Sequence, residues 1–177
     1  MTLDRRTCLL AAPALVLTGC AAPDVTHYAA EQPTLLLEDY FNGKLLASGM
    51  FTDRSGKVVK RFTVAMNCTW QGNDGVLDED FTYSDGTLQK RIWRVKKTGV
   101  GTYEGRADDV VGVAVGRASG NALHWTYTLA LPVDGRTWNM AMDDWMFLMP
   151  GGTLLNRTAM SKFGIHLGDV TLAFRKT

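Results

Sequence analysis

Ala122-Leu-His-Trp-Thr-Tyr-Thr-Leu-Ala-Leu131 alternates without a break. Leu123, Trp125, Tyr127, Leu129 and Leu131 fall on one face, and Ala122, His124, Thr126 and Thr128 on the other. A period of two marks a strand with one dry side and one wet side. Neighbouring segments repeat it: Val58, Phe62, Val64 and Met66 oppose Arg61, Thr63 and Asn67, and Leu77, Phe81 and Tyr83 oppose Asp78, Asp80 and Thr82. Residues 138–149 break the rule. Trp138, Met140, Met142, Met146 and Leu148 share one side, yet Ala141, Trp145, Phe147 and Met149 make the other side apolar too. A strand that is apolar on both sides needs cover on both. One end of this strand is therefore expected under the N-terminal helix, the tether or a membrane.

Turn clusters separate these segments at near-regular intervals. They are Arg54-Ser-Gly-Lys57, Gln71-Gly-Asn-Asp-Gly75, Ser84-Asp-Gly-Thr87, Thr98-Gly-Val-Gly101, Ser119-Gly-Asn121, Pro132-Val-Asp-Gly135 and Pro150-Gly-Gly152. Asp-Gly, Ser-Gly and Gly-Asn supply the positive φ that tight hairpins need. The spacing predicts strands over residues 44–53, 57–70, 76–84, 87–97, 102–108, 111–118, 122–131, 136–149, 153–162 and 167–176. Connections this short make neighbours in sequence antiparallel neighbours in space, and a meander of this size loses its sticky edges best by closing. The expected fold is all-β: an up-and-down antiparallel meander of about ten strands forming a lipocalin-like barrel. Residues 34–41 carry apolar side chains at helical spacing and read as a short helix, with a strand as the alternative. Asp78, Asp80, Lys90 and Arg94 put charge on outward faces at mid-strand, which argues against a barrel embedded in lipid.

The first twenty residues have another character. Arg5 and Arg6 precede an apolar run from Cys8 to Thr18, interrupted by Pro13. That run has the length of a secretory core and falls well short of the ~20 residues needed to span a bilayer. Leu17-Thr18-Gly19-Cys20 resembles the lipobox of bacterial lipoproteins. The resemblance implies cleavage before Cys20, a diacylglycerol on its thiol and acylation of the new amino group, together an effectively permanent anchor. By resemblance to the sorting of Gram-negative lipoproteins, Ala21 in place of an aspartate implies transfer to the periplasmic face of the outer membrane. Arg5-Arg6-Thr-Cys-Leu also resembles a twin-arginine signal, so both export routes stay open. The expected organisation is a signal peptide over 1–19, a lipidated tether over 20–33 and the barrel over 34–177.

The leader takes two of the 19 cations and one of the 18 acids, so 17 of each remain and the mature chain is formally neutral. No basic excess recruits nucleic acid or anionic lipid, and membrane attachment rests on the anchor alone. With Cys8 in the leader and Cys20 lipidated, Cys68 has no disulfide partner and reads as a small buried hydrophobe. His27, His124 and His166 show no metal-ligand spacing, and no nucleophile elbow is present. No cofactor is expected.

The acid pairs are the features closest to chemistry: Asp108-Asp109, Asp143-Asp144 and Asp78-Glu-Asp80. Adjacent strand residues point to opposite faces, so each pair is expected to give one outward acid and one inward acid. The inward one is expected to be tied to a base such as Arg106 or Arg157. Trp125, Tyr127, Trp138 and Trp145, with Met140, Met142, Met146 and Met149, read either as core or as the soft wall of an apolar pocket. The pocket candidates are Trp125, Tyr127, Trp145, Met142, Asp108, Asp144 and Arg157.

Several segments resemble one family. These are Tyr40-Phe-Asn-Gly-Lys44, Asp53-Arg-Ser-Gly-Lys57 with Arg61-Phe-Thr-Val64, and Leu77-Asp-Glu-Asp-Phe81. Tyr103-Glu-Gly-Arg-Ala-Asp-Asp-Val-Val-Gly112, Asp143-Asp-Trp-Met146 and Asn156-Arg-Thr-Ala-Met-Ser-Lys-Phe-Gly164 belong with them. Over about residues 36–176 the chain resembles the domain of unknown function 3833 family of bacterial lipoproteins. The resemblance implies an envelope lipoprotein and brings no assigned activity or catalytic residue. Small residues are more usual in that family at the place of Cys68, which argues against an essential thiol. The expected function is non-catalytic: binding or carrying an apolar molecule such as a fatty acid or lipid in the periplasm. The alternatives are an accessory lipoprotein with a packed barrel and a protein partner, and an isomerase or cyclase using inward acids.

Overall fold

The computed structural model describes residues 23–133 and 135–177, so Cys20 and the leader lie outside the described residues. Ten strands follow one another: β1 (Gly43–Asp53), β2 (Val58–Gln71), β3 (Asp74–Tyr83), β4 (Leu88–Gly99), β5 (Thr102–Arg106), β6 (Val110–Ser119), β7 (Ala122–Val133), β8 (Arg136–Leu148), β9 (Leu154–Lys162) and β10 (Ile165–Lys176). Each pairs antiparallel with the next, and β1 pairs with β10, closing the barrel. This is the up-and-down meander read from the sequence. No backbone edge is left free along the closing seam, where Leu45 to Asp53 run against Lys176 to Gly168. Among the described residues no helix is long and apolar enough to cross a membrane.

The turns follow their local chemistry. In the β1–β2 hairpin the Asp53 carboxylate accepts from the Ser55 amide at 2.8 Å and the Ser55 hydroxyl at 2.6 Å, while Gly56 takes φ +84°. Such a conformation is open to glycine without strain.

One helical turn, α1 (Leu37–Tyr40), plugs one end of the barrel with buried Leu35, Leu37, Tyr40 and Phe41. Its attachments are polar and come from several strands. The Tyr40 hydroxyl donates to the carbonyls of Gly152 and Phe174 at 3.0 Å, and the Trp70 indole donates to Phe41 O at 2.8 Å. Glu38 receives both Lys97 and the Tyr103 hydroxyl. The plug thus satisfies its own polar atoms against the rim while burying its apolar side.

Part of the stretch read as a tether is folded. A 3₁₀ turn, Val25–Tyr28, starts from an Asp24 cap and buries Val25. It lies against β6 and β7. The Tyr28 ring sits edge-on to Trp145 at 6.0 Å and Phe147 at 5.1 Å. This covers the second apolar face of β8, as its two-sided pattern requires.

Candidate functional site

The barrel is not filled. A cavity of about 570 Å³ runs from Leu37 and Phe41 at the plug to Lys60, Tyr83 and Pro132 at the opposite end. Its walls are the inward faces of the strands. Phe62, Val64, Leu77, Phe81, Trp93, Trp125, Leu129, Met142 and Met160 give it an apolar lining. That volume lies within the ~300–1,000 Å³ typical of small-molecule sites.

Trp125 shapes one wall through two glycines. A methyl group at Gly116 would stand 2.0 Å from its Cε3, and one at Gly105 would stand 2.5 Å from its Cζ2. The indole therefore lies directly on the backbone of β5 and β6. Trp93 meets it edge-on at 5.8 Å and meets Tyr127 at 5.3 Å.

Polar groups interrupt this lining at a few points. Arg91 on β4 forks onto Asp109, with Nη2 to Oδ2 at 2.6 Å and Nε to Oδ2 at 2.9 Å. Here β5 has already ended at Arg106 and pairs with β4 only from Arg94 onward. The ion pair spans the wall where the backbone ladder stops. Burial alone would weaken the Arg91 charge, but the Asp109 hydrogen bonds and the nearby Glu79 hold the guanidinium firmly protonated.

Glu79 stands opposite Arg91 in the β3–β4 register, yet no ion pair joins them among the described residues. It is only 9% exposed, and burial pushes its carboxyl up to about 7, against the pull of Arg91. Asp144 on β8 faces inward between Trp125 and Thr158. It receives the Asn156 amide. Burial raises its carboxyl to about 7 as well, although Asn156 and Thr158 pull the other way. Burial likewise raises the Tyr127 phenol well above its ordinary range, helped by Asp144. Two acids that ionise near neutrality therefore share one apolar cavity.

The pocket residues expected from sequence divide into two groups. Trp125, Tyr127, Met142 and Asp144 line the cavity. Trp145, Asp108 and Arg157 do not. Trp145 is on the outer face, stacked on His124 at 4.3 Å, because both faces of β8 are apolar at that end and alternation cannot choose between them. Asp108 is exposed in the β5–β6 connection, and its neighbour Asp109 takes the inward place. Arg157 is exposed and pairs outside with Asp169 at 3.2 Å. Asp144 is accordingly held by neutral Asn156 and not by a base.

Glu79 and Arg91 were absent from that expectation. Their signal was present: Glu79 shares the parity of Leu77 and Phe81, and Arg91 that of Trp93. Cys68 is buried, and burial pushes its thiol up to about 12, so it is a packing residue and not a nucleophile. No group of three or more His, Cys, Asp or Glu side chains converges on a metal-binding geometry among the described residues.

Fold and site together define an up-and-down β-barrel with an internal, mainly apolar cavity. The chain belongs to the family described as protein of unknown function (DUF3833), whose model matches residues 14–176. No curated protein matches it.

Proposed function

We propose that this protein is a lipid-anchored envelope protein that holds or carries an apolar molecule, such as a fatty acid or lipid, inside its barrel, without catalysis. The observation that carries the reading is the apolar cavity of about 570 Å³ beneath a plugged end. A barrel with no cargo would gain stability by filling that space, since empty apolar volume forfeits dispersion contacts. The Leu17-Thr-Gly-Cys20 motif supports export and anchoring, which would place such a barrel beside a lipid leaflet at the periplasmic face of the outer membrane.

The test is mass spectrometry of lipids extracted from protein purified without detergent from residue 21 onward. A lipid present in near-stoichiometric amount, and absent from a control protein, is the expected result. Protein free of lipid that also fails to take up a neutral apolar probe would end the reading.

A second reading has one observation behind it. Glu79 and Asp144, both raised to about 7 in the same apolar cavity, form the pattern used for proton transfer. It predicts slow double-bond migration in an apolar unsaturated ketone, followed by ultraviolet absorbance. No turnover, or turnover unchanged in Glu79→Gln, would remove it.

A further inference from the structure

Five charged side chains line the cavity, and they do not pair off. Lys60 and Arg91 stand against Glu79, Asp109 and Asp144. Both cations are engaged: Lys60 meets Asp85 at 2.9 Å, and Arg91 is forked by Asp109. Asp144 has only the neutral Asn156 and Thr158 as hydrogen-bonding neighbours. Glu79 is nine-tenths buried, lines the cavity and has no hydrogen-bonding partner among the described residues. Its oxygens open onto the cavity, where a bound group that donates hydrogen bonds could meet them.

We propose that the cavity selects an apolar molecule bearing an ammonium group, received by Glu79 and Asp144, over one bearing a carboxylate or phosphate. This rests on the cavity being a ligand site, and it sharpens which ligand the site takes. An ammonium brings three donors and a positive charge to carboxyls that lack a cation. A carboxylate would face two acids, and the Arg91 guanidinium that could attract it is already forked by Asp109 through Nε and Nη2. The aromatic wall of Phe81, Trp93 and Trp125 also suits a cation, because ring faces carry negative potential.

The groups facing Glu79 are Arg91 from β4, Asp109 from the β5–β6 connection, Asp144 from β8 and Asp78 on its own strand. Arg91 and Asp109 offset one another. Deprotonation of Glu79 and Asp144 between pH 6 and 8 therefore makes the cavity more negative, and amine affinity rises over that range.

The experiment uses the full chain carrying Cys20→Ser, so that no lipid of its own enters the assay. A neutral apolar dye, N-phenyl-1-naphthylamine, reports occupancy, and dodecylamine, dodecanol and dodecanoic acid compete with it. The expected result at pH 8 is displacement by the amine at about tenfold lower concentration than by the acid, the equivalent of about 1.4 kcal/mol. The readout is that ratio, and Glu79→Gln is expected to close most of the gap. Asp144→Asn serves as the second variant should Glu79→Gln not fold, and it is expected to narrow the gap as well. Acid binding as tightly as amine, or a gap untouched by either variant, overturns the proposal and leaves the apolar cavity standing. A dye that never enters overturns both.

Discussion

A carboxyl group set between Leu77 and Phe81 loses its water and keeps its charge only at a cost, and Glu79 is in that position. Its ordinary value of 4.5 rises to about 7, and Asp144 moves from 3.8 to about 7. The direction of the pH dependence follows. Below about pH 3 both groups are protonated, folded or unfolded, and cost nothing. As pH rises towards 7 the unfolded chain releases these protons while the folded chain retains them. Stability is therefore lost across that window, on the order of 3 kcal/mol for each group. Glu79→Gln is expected to unfold at higher urea concentration than the wild type at pH 8 and at nearly the same concentration at pH 4.5. Equal midpoints at both pH values would mean that Glu79 is solvated. Asp109→Ala leaves the Arg91 charge without its fork and is expected to cost roughly 3 kcal/mol in the same assay. Alternation alone was enough to place Glu79 inside, and the run Asp78-Glu-Asp80 stood among the acid groups closest to chemistry, yet Glu79 was not carried into the pocket candidates. The ion pair of Arg91 with Asp109 was not legible, because it depends on where β5 stops.

At the scale of elements, period-two patterning and turn chemistry located all ten strands. The sequence reading kept β5 going to residue 108, whereas the strand ends at Arg106. Asp109 instead closes the gap, with its carbonyl accepting from Ala130 on β7 at 2.8 Å. The facing of β8 could be read only where one side is polar. Towards Leu148 both sides are apolar, and Trp145 goes outward because Tyr28 is there to cover it. Tyr28→Ala is expected to cost about 1 kcal/mol and to speed amide exchange in residues 25–31 while leaving β2 and β3 protected. Close backbone approach makes the opposite kind of prediction at β6. Gly116→Ala must push the Trp125 indole off its strand, and the expected loss is about 1–3 kcal/mol, with a blue or red shift in tryptophan emission as the ring moves. An unchanged spectrum and melting temperature would contradict the packing described.

For the whole molecule, closure followed from the number of strands and the shortness of their connections, since an open ten-stranded meander exposes two edges. The plug did not follow. Four residues of helix carry too little periodicity to be told from a strand, and what fixes α1 is its ties to Gly152, Phe174, Trp70 and Tyr103 from distant parts of the chain. Whether the interior was filled or hollow was likewise beyond the sequence, because alternation gives the direction of a side chain and not the space left at the axis. The central claim is that this hollow is a ligand site, and Val170 on its wall offers the most direct test. Val170→Trp should fill part of the void. The account predicts that the neutral dye N-phenyl-1-naphthylamine binds the wild type and binds this variant at least about tenfold more weakly, with no fall in melting temperature. Undiminished binding to a folded Val170→Trp protein, or no binding to the wild type, would contradict it.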